Sequence, residues 1–200
     1  VFRRWQQYEG EVLLWYLGGY GLERMIVESL RTDSLMIGSS ETEDTEREEV
    51  FHTECEWIEL RIADMNFALD TLKSAVSAND FSEWTFTEGN KQQFETAARL
   101  INTDKIGLMG HSLGGATAVT VGRRDDISAV IDIDGTMVGE QIDFADGKYV
   151  INEEQYTIPL LEIENEKAHF DAIEAEKNGY IYANNVVQKN AVNAYQTYFV

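Results

Sequence analysis

Residues Lys105–Thr120, KIGLMGHSLGGATAVT, leave the chain few folds to choose from. Ile106–Met109 is a short apolar run, as a buried parallel strand shows. Gly110, His111, Ser112, Leu113 and Gly114 then fit G-x-S-x-G, and Ala116–Val121 is a run of small and apolar residues. The order is strand, sharp turn, helix. A serine at such a turn must adopt a strained backbone, so the positions two away on either side are expected to lack a Cβ. Gly110 and Gly114 supply this, and Gly115 adds a further glycine. The turn lifts the Ser112 hydroxyl out of the sheet and sets the Leu113 N–H at a helix N-terminus, aimed at a developing oxyanion. A glycine-rich turn that only packs a helix on a sheet leaves His111-Ser112 between the glycines unexplained.

The flanking segments set that turn in an alternating pattern. Glu56–Ala78 reads as a helix, with Trp57, Leu60, Ile62, Met65, Phe67, Leu69 and Leu72 as a broad apolar face. The acidic run Glu41–Glu49 reads as an exposed loop or a helix start. Asn79–Asn90 reads as a loop and Lys91–Ile101 as a second helix. After the turn, Ile127–Ile133 (ISAVIDI) is β-branched and predicts the next buried strand. Thr157–Ile163 predicts another strand, Lys167–Lys177 and Tyr182–Asn193 helices, and Tyr195–Val200 a last strand. Val12–Leu17 is a strand candidate before the turn Gly18–Gly21. Alternation of strand and helix argues for a mostly parallel α/β sheet with helices on both faces. No linker or internal repeat divides the chain, so one domain over residues 1–200 is expected.

Net charge is −20, from 16 basic and 36 acidic residues, which disfavours binding to a nucleic acid backbone and repels anionic substrates. No run of about 18 apolar residues provides a membrane span. The start, VFRRWQQYEG, lacks an apolar signal-peptide core. A single cysteine, Cys55, excludes an internal disulfide and any multi-cysteine metal site, and reads as a packed thiol.

A serine hydroxyl needs a base, usually histidine, held by a carboxylate. In open α/β sheets such groups gather at the carboxyl ends of strands. Asp134 ends the strand after the turn and is the preferred orienting acid. Asp132 lies deeper on the same strand face, and Glu164 and Glu166 follow the next strand. Asp134-Gly135 also reads as an ordinary turn. Of three histidines, His111 sits inside the turn, His52 precedes the serine, and His169 follows in the order Ser, acid, His but starts a helix.

GHSLGGATAV, followed by a hydrophobic strand ending in Asp-Gly, resembles the α/β-hydrolase superfamily. More narrowly it resembles bacterial platelet-activating-factor acetylhydrolase-like and dienelactone-hydrolase-like serine esterases. The likeness covers about residues 57–200: the helix with Arg61, Asp64, Phe67, Leu69 and Asp70, the elbow, VIDIDGTM, and IPLLEI. The resemblance implies the α/β-hydrolase fold, truncated at both ends. It also implies Ser112 as nucleophile, Asp134 as acid, the Leu113 N–H as oxyanion donor, a small-molecule ester substrate, and neither cofactor nor metal. Two alternatives stand beside it. One is an impaired fragment or binding relic lacking its histidine; the other is a thioesterase or peptidase on the same fold.

The chain departs from the family twice. The family's histidine follows a strand like Tyr195–Val200, so it is expected beyond Val200. The family's first oxyanion loop is a glycine-rich turn after an early strand, but Val1-Phe2 is followed by Arg3-Arg4-Trp5-Gln6-Gln7. Back-translating Arg3–Tyr8 and reading one nucleotide later places a glycine across Trp5-Gln6, close to that loop. The resulting hypothesis is that much of residues 3 to about 45 reflects a shifted reading frame, since local sequence should agree with the fold it serves. Resequencing the gene tests it: an uninterrupted frame in a clean clone sinks the idea.

Overall fold

The computed structural model describes residues 41–85 and 91–200. The chain divides into two compact units, Val1–Ser40 and Glu41–Val200, and the described residues all belong to the second. Val1-Phe2, the strand expected over Val12–Leu17 and the turn at Gly18–Gly21 lie outside the described residues, as does the end of the loop expected over Asn79–Asn90.

Four strands form one parallel sheet: β1 (Ile106–His111), β2 (Ile127–Ile133), β5 (Leu160–Asn165) and β6 (Ala194–Phe199), side by side in that order. After a shift between Ile106 and Gly107 at the start of β1, register is continuous across it. Gly110 faces Asp132, Asp132 faces Glu162, and Glu162 faces Gln196. All four carboxyl ends therefore share one edge. β5 starts three residues later than the sequence predicts, because Pro159 has no N–H to donate; its carbonyl instead accepts from Val130 N–H (2.9 Å).

The helices are α1 (Glu41–Ala78), α2 (Lys91–Ala98), α3 (Leu113–Val121), α4 (Glu166–Lys177) and α5 (Ala183–Asn190). Residues facing each other across parallel strands share a sheet face. Asp132 meets α3 at Gly115, and its neighbour Glu162 meets α5 at Asn184 and Gln188. So α3 and α5 cover the same face. On the opposite face Met109 and Tyr195 are 68% and 65% exposed. Helices were expected on both faces; among the described residues α3 and α5 cover one, and the other leaves Met109 and Tyr195 exposed.

α1 runs 15 residues further towards the N-terminus than predicted, through the acidic stretch read as loop or helix start. Nothing between residues 41 and 78 is Gly or Pro, and burial supplies the rest. Phe51 is buried against Phe144 and Tyr149, and the Arg47 guanidinium lies over the rings of Phe144, Tyr149 and Tyr180. The buried side of α1 follows Phe51, Ile58 and Ala75, with Ile62 and Leu69 packed beneath. Trp57, Leu60 and Phe67, assigned to the apolar face by sequence, are exposed. Further along, Arg124 forks between Asn66, Asp70 and Asp126, tying α1 to the turn after α3.

A hairpin absent from the sequence reading joins β2 to β5. Its strands are β3 (Gln141–Ala145) and β4 (Lys148–Ile151), closed by Asp146-Gly147 with φ of 51° and 71°. Two central residues at positive φ match the right-handed twist of the strands. Below the sheet the core closes on Tyr156, which is 1% exposed and donates its hydroxyl to Val119 O (2.9 Å).

α3 lies close on the sheet because its first turn carries almost no side chains. A Cβ on Gly110 would stand 2.1 Å from Gly114 O, and one on Gly115 would stand 1.9 Å from Asp132 Oδ1. A Cβ on Gly114 would meet nothing within 4 Å. This corrects the expectation drawn from G-x-S-x-G: the positions short of space are 110 and 115. Gly110→Ala forces backbone apart and is expected to cost at least about 3 kcal/mol. Gly114→Ala sits in open space on a helix and should be neutral or stabilise by up to about 1 kcal/mol. Urea unfolding of both variants checks this; equal midpoints would refute the packing account.

Candidate active site

Ser112 occupies the junction between β1 and α3 with φ 55° and ψ −127°, a region that non-glycine residues rarely enter. The junction holds it there. Ser112 N–H donates to Ile133 O (2.9 Å), and Ser112 O accepts from the N–H groups of Gly115 (2.9 Å) and Ala116 (3.1 Å). Leu113 opens α3. Its N–H is therefore among the first-turn amides for which a helix has no internal acceptor. Strain, a half-buried hydroxyl and a helix N-terminus converge on one residue.

Asp134 stands at the matching end of β2, also at positive φ (54°). Its N–H donates to Ile163 O (2.7 Å). Its Oδ1 accepts from both the backbone N–H (3.0 Å) and the Nδ2 (2.6 Å) of Asn165. The sheet thus brings Ser112 and Asp134 to adjacent strand ends, as the sequence predicts. Among the described residues no histidine bonds to Asp134.

The histidines lie elsewhere. His169 Nδ1 pairs with Glu164 Oε2 at 2.8 Å, and the ring stacks on Tyr198 with centroids 4.8 Å apart. Glu164 and Tyr198 face each other on β5 and β6. Glu164 is two strands from β1, and adjacent strands are spaced by just under 5 Å, so this cluster stands about 10 Å from the Ser112 strand end. His111 is exposed at the end of β1, and His52 is exposed on α1 with Glu48 3.9 Å away. Glu166 is the first residue of α4 and is exposed. Burial, with Glu59 and Glu54 nearby, pushes the Cys55 thiol up. That is opposite to what a thiolate nucleophile needs.

One residue row beneath the strand ends is a buried polar layer that sequence reasoning did not resolve. Glu162 is fully buried and accepts from Asn184, Gln188 (2.8 Å) and Gln196 (3.1 Å). Asn184 also donates to Gly135 O (2.8 Å) and accepts from Met137 N–H (3.0 Å), anchoring the loop after Asp134 to α5. Asp132 is fully buried and neither carboxylate oxygen has a hydrogen-bond partner. Burial, then the charge of Glu162, pushes Asp132 up to about 8; the nearby Gly135 N–H pulls the other way without reaching bonding geometry, and Asp134 and Glu164 add to the rise. Alternating Asp and Glu within IDI and LEIE was the available signal, since a charge inside a buried strand must be neutral or paired.

No protein-family model matches the chain, and no solved structure matches it. Among curated proteins, it is similar to the phosphatidylglycerol–prolipoprotein diacylglyceryl transferase of Clostridioides difficile (strain 630), at 47% identity over 38 residues. That stretch is 19% of this chain and 15% of the transferase.

Asp132 gives the site layer a pH signature. The folded state keeps its proton up to about pH 8, whereas an unfolded aspartate loses it near its ordinary value of about 4. Its contribution to stability is complete below about pH 4 and is lost as pH rises towards 8. Asp132→Asn, neutral at every pH, should therefore raise the melting temperature at pH 8 and lose that advantage towards pH 4. The expected gain at pH 8 is on the order of a few kcal/mol. Calorimetric melts of both proteins across this range check it; a constant offset would refute it.

Proposed function

We propose that the chain is a serine hydrolase of the α/β-hydrolase type, cleaving carboxylic esters through an acyl-enzyme on Ser112. The observation that carries this reading is the strained backbone of Ser112 between a parallel strand and a helix N-terminus. Such strain persists only where the surroundings impose it, and it sets a hydroxyl beside oriented amides. In this mechanism Ser112 Oγ bonds to the ester carbonyl carbon as its proton passes to an imidazole. Negative charge moves to the carbonyl oxygen, which the Leu113 N–H meets. The oxyanion collapses, the C–O bond to the alcohol breaks, and the alcohol leaves with the proton from the imidazolium. Water then repeats the sequence on the acyl-enzyme and frees Ser112. Asp134, one strand away, orients the imidazole and balances its charge. The net charge of −20 favours neutral or cationic esters, and a short acyl chain is inferred from the family resemblance alone.

A second reading is favoured by one observation. The histidine in the right chain order, His169, is committed to Glu164 and Tyr198. On that reading the chain is an impaired fragment that keeps the elbow without its base. The thioesterase and peptidase readings share Ser112 and differ in the acyl group accepted.

A fluorophosphonate probe, which phosphonylates activated serines, separates the readings. On the hydrolase reading the imidazole is supplied by the full-length gene product, in which the expected result is labelling that vanishes in Ser112→Ala, falls by about 100-fold or more in Asp134→Asn, and persists in His169→Ala. Absence of labelling in the unmutated full-length product overturns the hydrolase reading and leaves the impaired form.

A further inference from the structure

We propose that Asn165 is a positioning residue for Asp134, presenting one carboxylate oxygen of Asp134 to the imidazole while it holds the other. The proposal rests on the serine-hydrolase reading and adds a residue to its site.

Asn165 is the last residue of β5 and the N-cap of α4. Its side-chain Oδ1 accepts from Ala168 N–H at 2.8 Å. Its Nδ2 donates to Asp134 Oδ1 at 2.6 Å, and its backbone N–H donates to the same oxygen at 3.0 Å. The amide has one orientation. Ala168 offers only a donor and a carboxylate only acceptors, so a flipped amide would face N–H with N–H and oxygen with oxygen. Both donors converge on Oδ1, and Asp134 Oδ2 has no hydrogen-bond partner among the described residues. A planar carboxylate gripped at one oxygen by two donors of a single residue keeps its other oxygen pointed in one direction.

The backbone fits this purpose. Asp134 holds a positive φ, a conformation that costs an aspartate free energy and that its side-chain bonds help to maintain. Asn165 in turn is fixed at both ends, by the strand and by the cap. The N-cap of α4 therefore sets the direction of a carboxylate on the neighbouring strand.

Capping and positioning can be separated. Asn165→Asp keeps the shape and an equally good capping acceptor but exchanges the Nδ2 donor for an acceptor. The experiment measures hydrolysis of a neutral chromogenic acetate ester by the unmutated chain, Asn165→Asp, Asp134→Ala and the double variant, with a melting temperature for each. A positioning role predicts that Asn165→Asp lowers kcat by about tenfold or more with little change in KM. It further predicts that the same substitution has no effect on the residual rate of Asp134→Ala, since the residue it acts through is gone. Equal losses in both backgrounds, or no loss in either, overturn the proposal while the hydrolase reading stands. A chain with no Ser112-dependent turnover overturns both.

Discussion

At the start of α3, helix backbone rests directly on strand backbone where Gly110 meets Gly114. Gly110 passes so near Gly114 that a methyl group would overlap its carbonyl, and Gly115 sits as near to Asp132. This contact sets where the helix axis meets the sheet, and so where its first N–H groups point. Ser112 has no ordinary conformation available at that junction. Its strain follows from two backbones brought together where the chain places three glycines, Gly110, Gly114 and Gly115, in six residues. The free energy comes from the buried small face of α3, where Ala116, Ala118 and Val119 are wholly inaccessible. Each such residue contributes little, but the packing is dense and tolerates no added atom.

Beneath the strand ends, the polar layer works by a different principle. Glu162 is surrounded by amides that donate to it, so part of its lost hydration is replaced by protein. Asp132, its neighbour across the sheet, has no such cage. Two carboxyl groups in one row thus meet the cost of burial differently: at Glu162 amide donors from Asn184 and Gln188 offset part of it, although burial still pushes that carboxyl up to about 7, while Asp132 has no donor and is pushed up to about 8. Glu164 uses a third route, an imidazole partner. These three acids explain why a chain so rich in carboxylates can bury several of them.

The elbow and the strand–helix alternation after it were legible because each depends on local rules: glycine where space is short, β-branched residues in a strand, small residues against a sheet. Ser112 and Asp134 fell at adjacent strand ends for the same reason. The Asp146-Gly147 hairpin was also written locally, as Asp-Gly between IDFA and KYVI, and went unread. The length of α1 was not local. Its acidic first turns carry a loop-like composition, and the aromatic surface that receives Phe51 and Arg47 comes from residues about a hundred positions away. Likewise, Asn165 reads only as a helix cap; that it grips Asp134 depends on two strands meeting in register.

The sheet order β1-β2-β5-β6 is also the order of synthesis. Each strand can therefore join an edge already formed, and none has to be threaded between two others. Each addition still closes a wide loop: Asp132 follows Gly110 by 22 residues, Glu162 follows Asp132 by 30, and Gln196 follows Glu162 by 34. Non-local pairing of this kind folds slowly, because chain entropy is lost before contacts repay it. The elbow can be in place when only the first two strands have emerged. The amide of Gln196 arrives last, so the carboxylates of β5 lack one of their donors until nearly the whole described chain has left the ribosome.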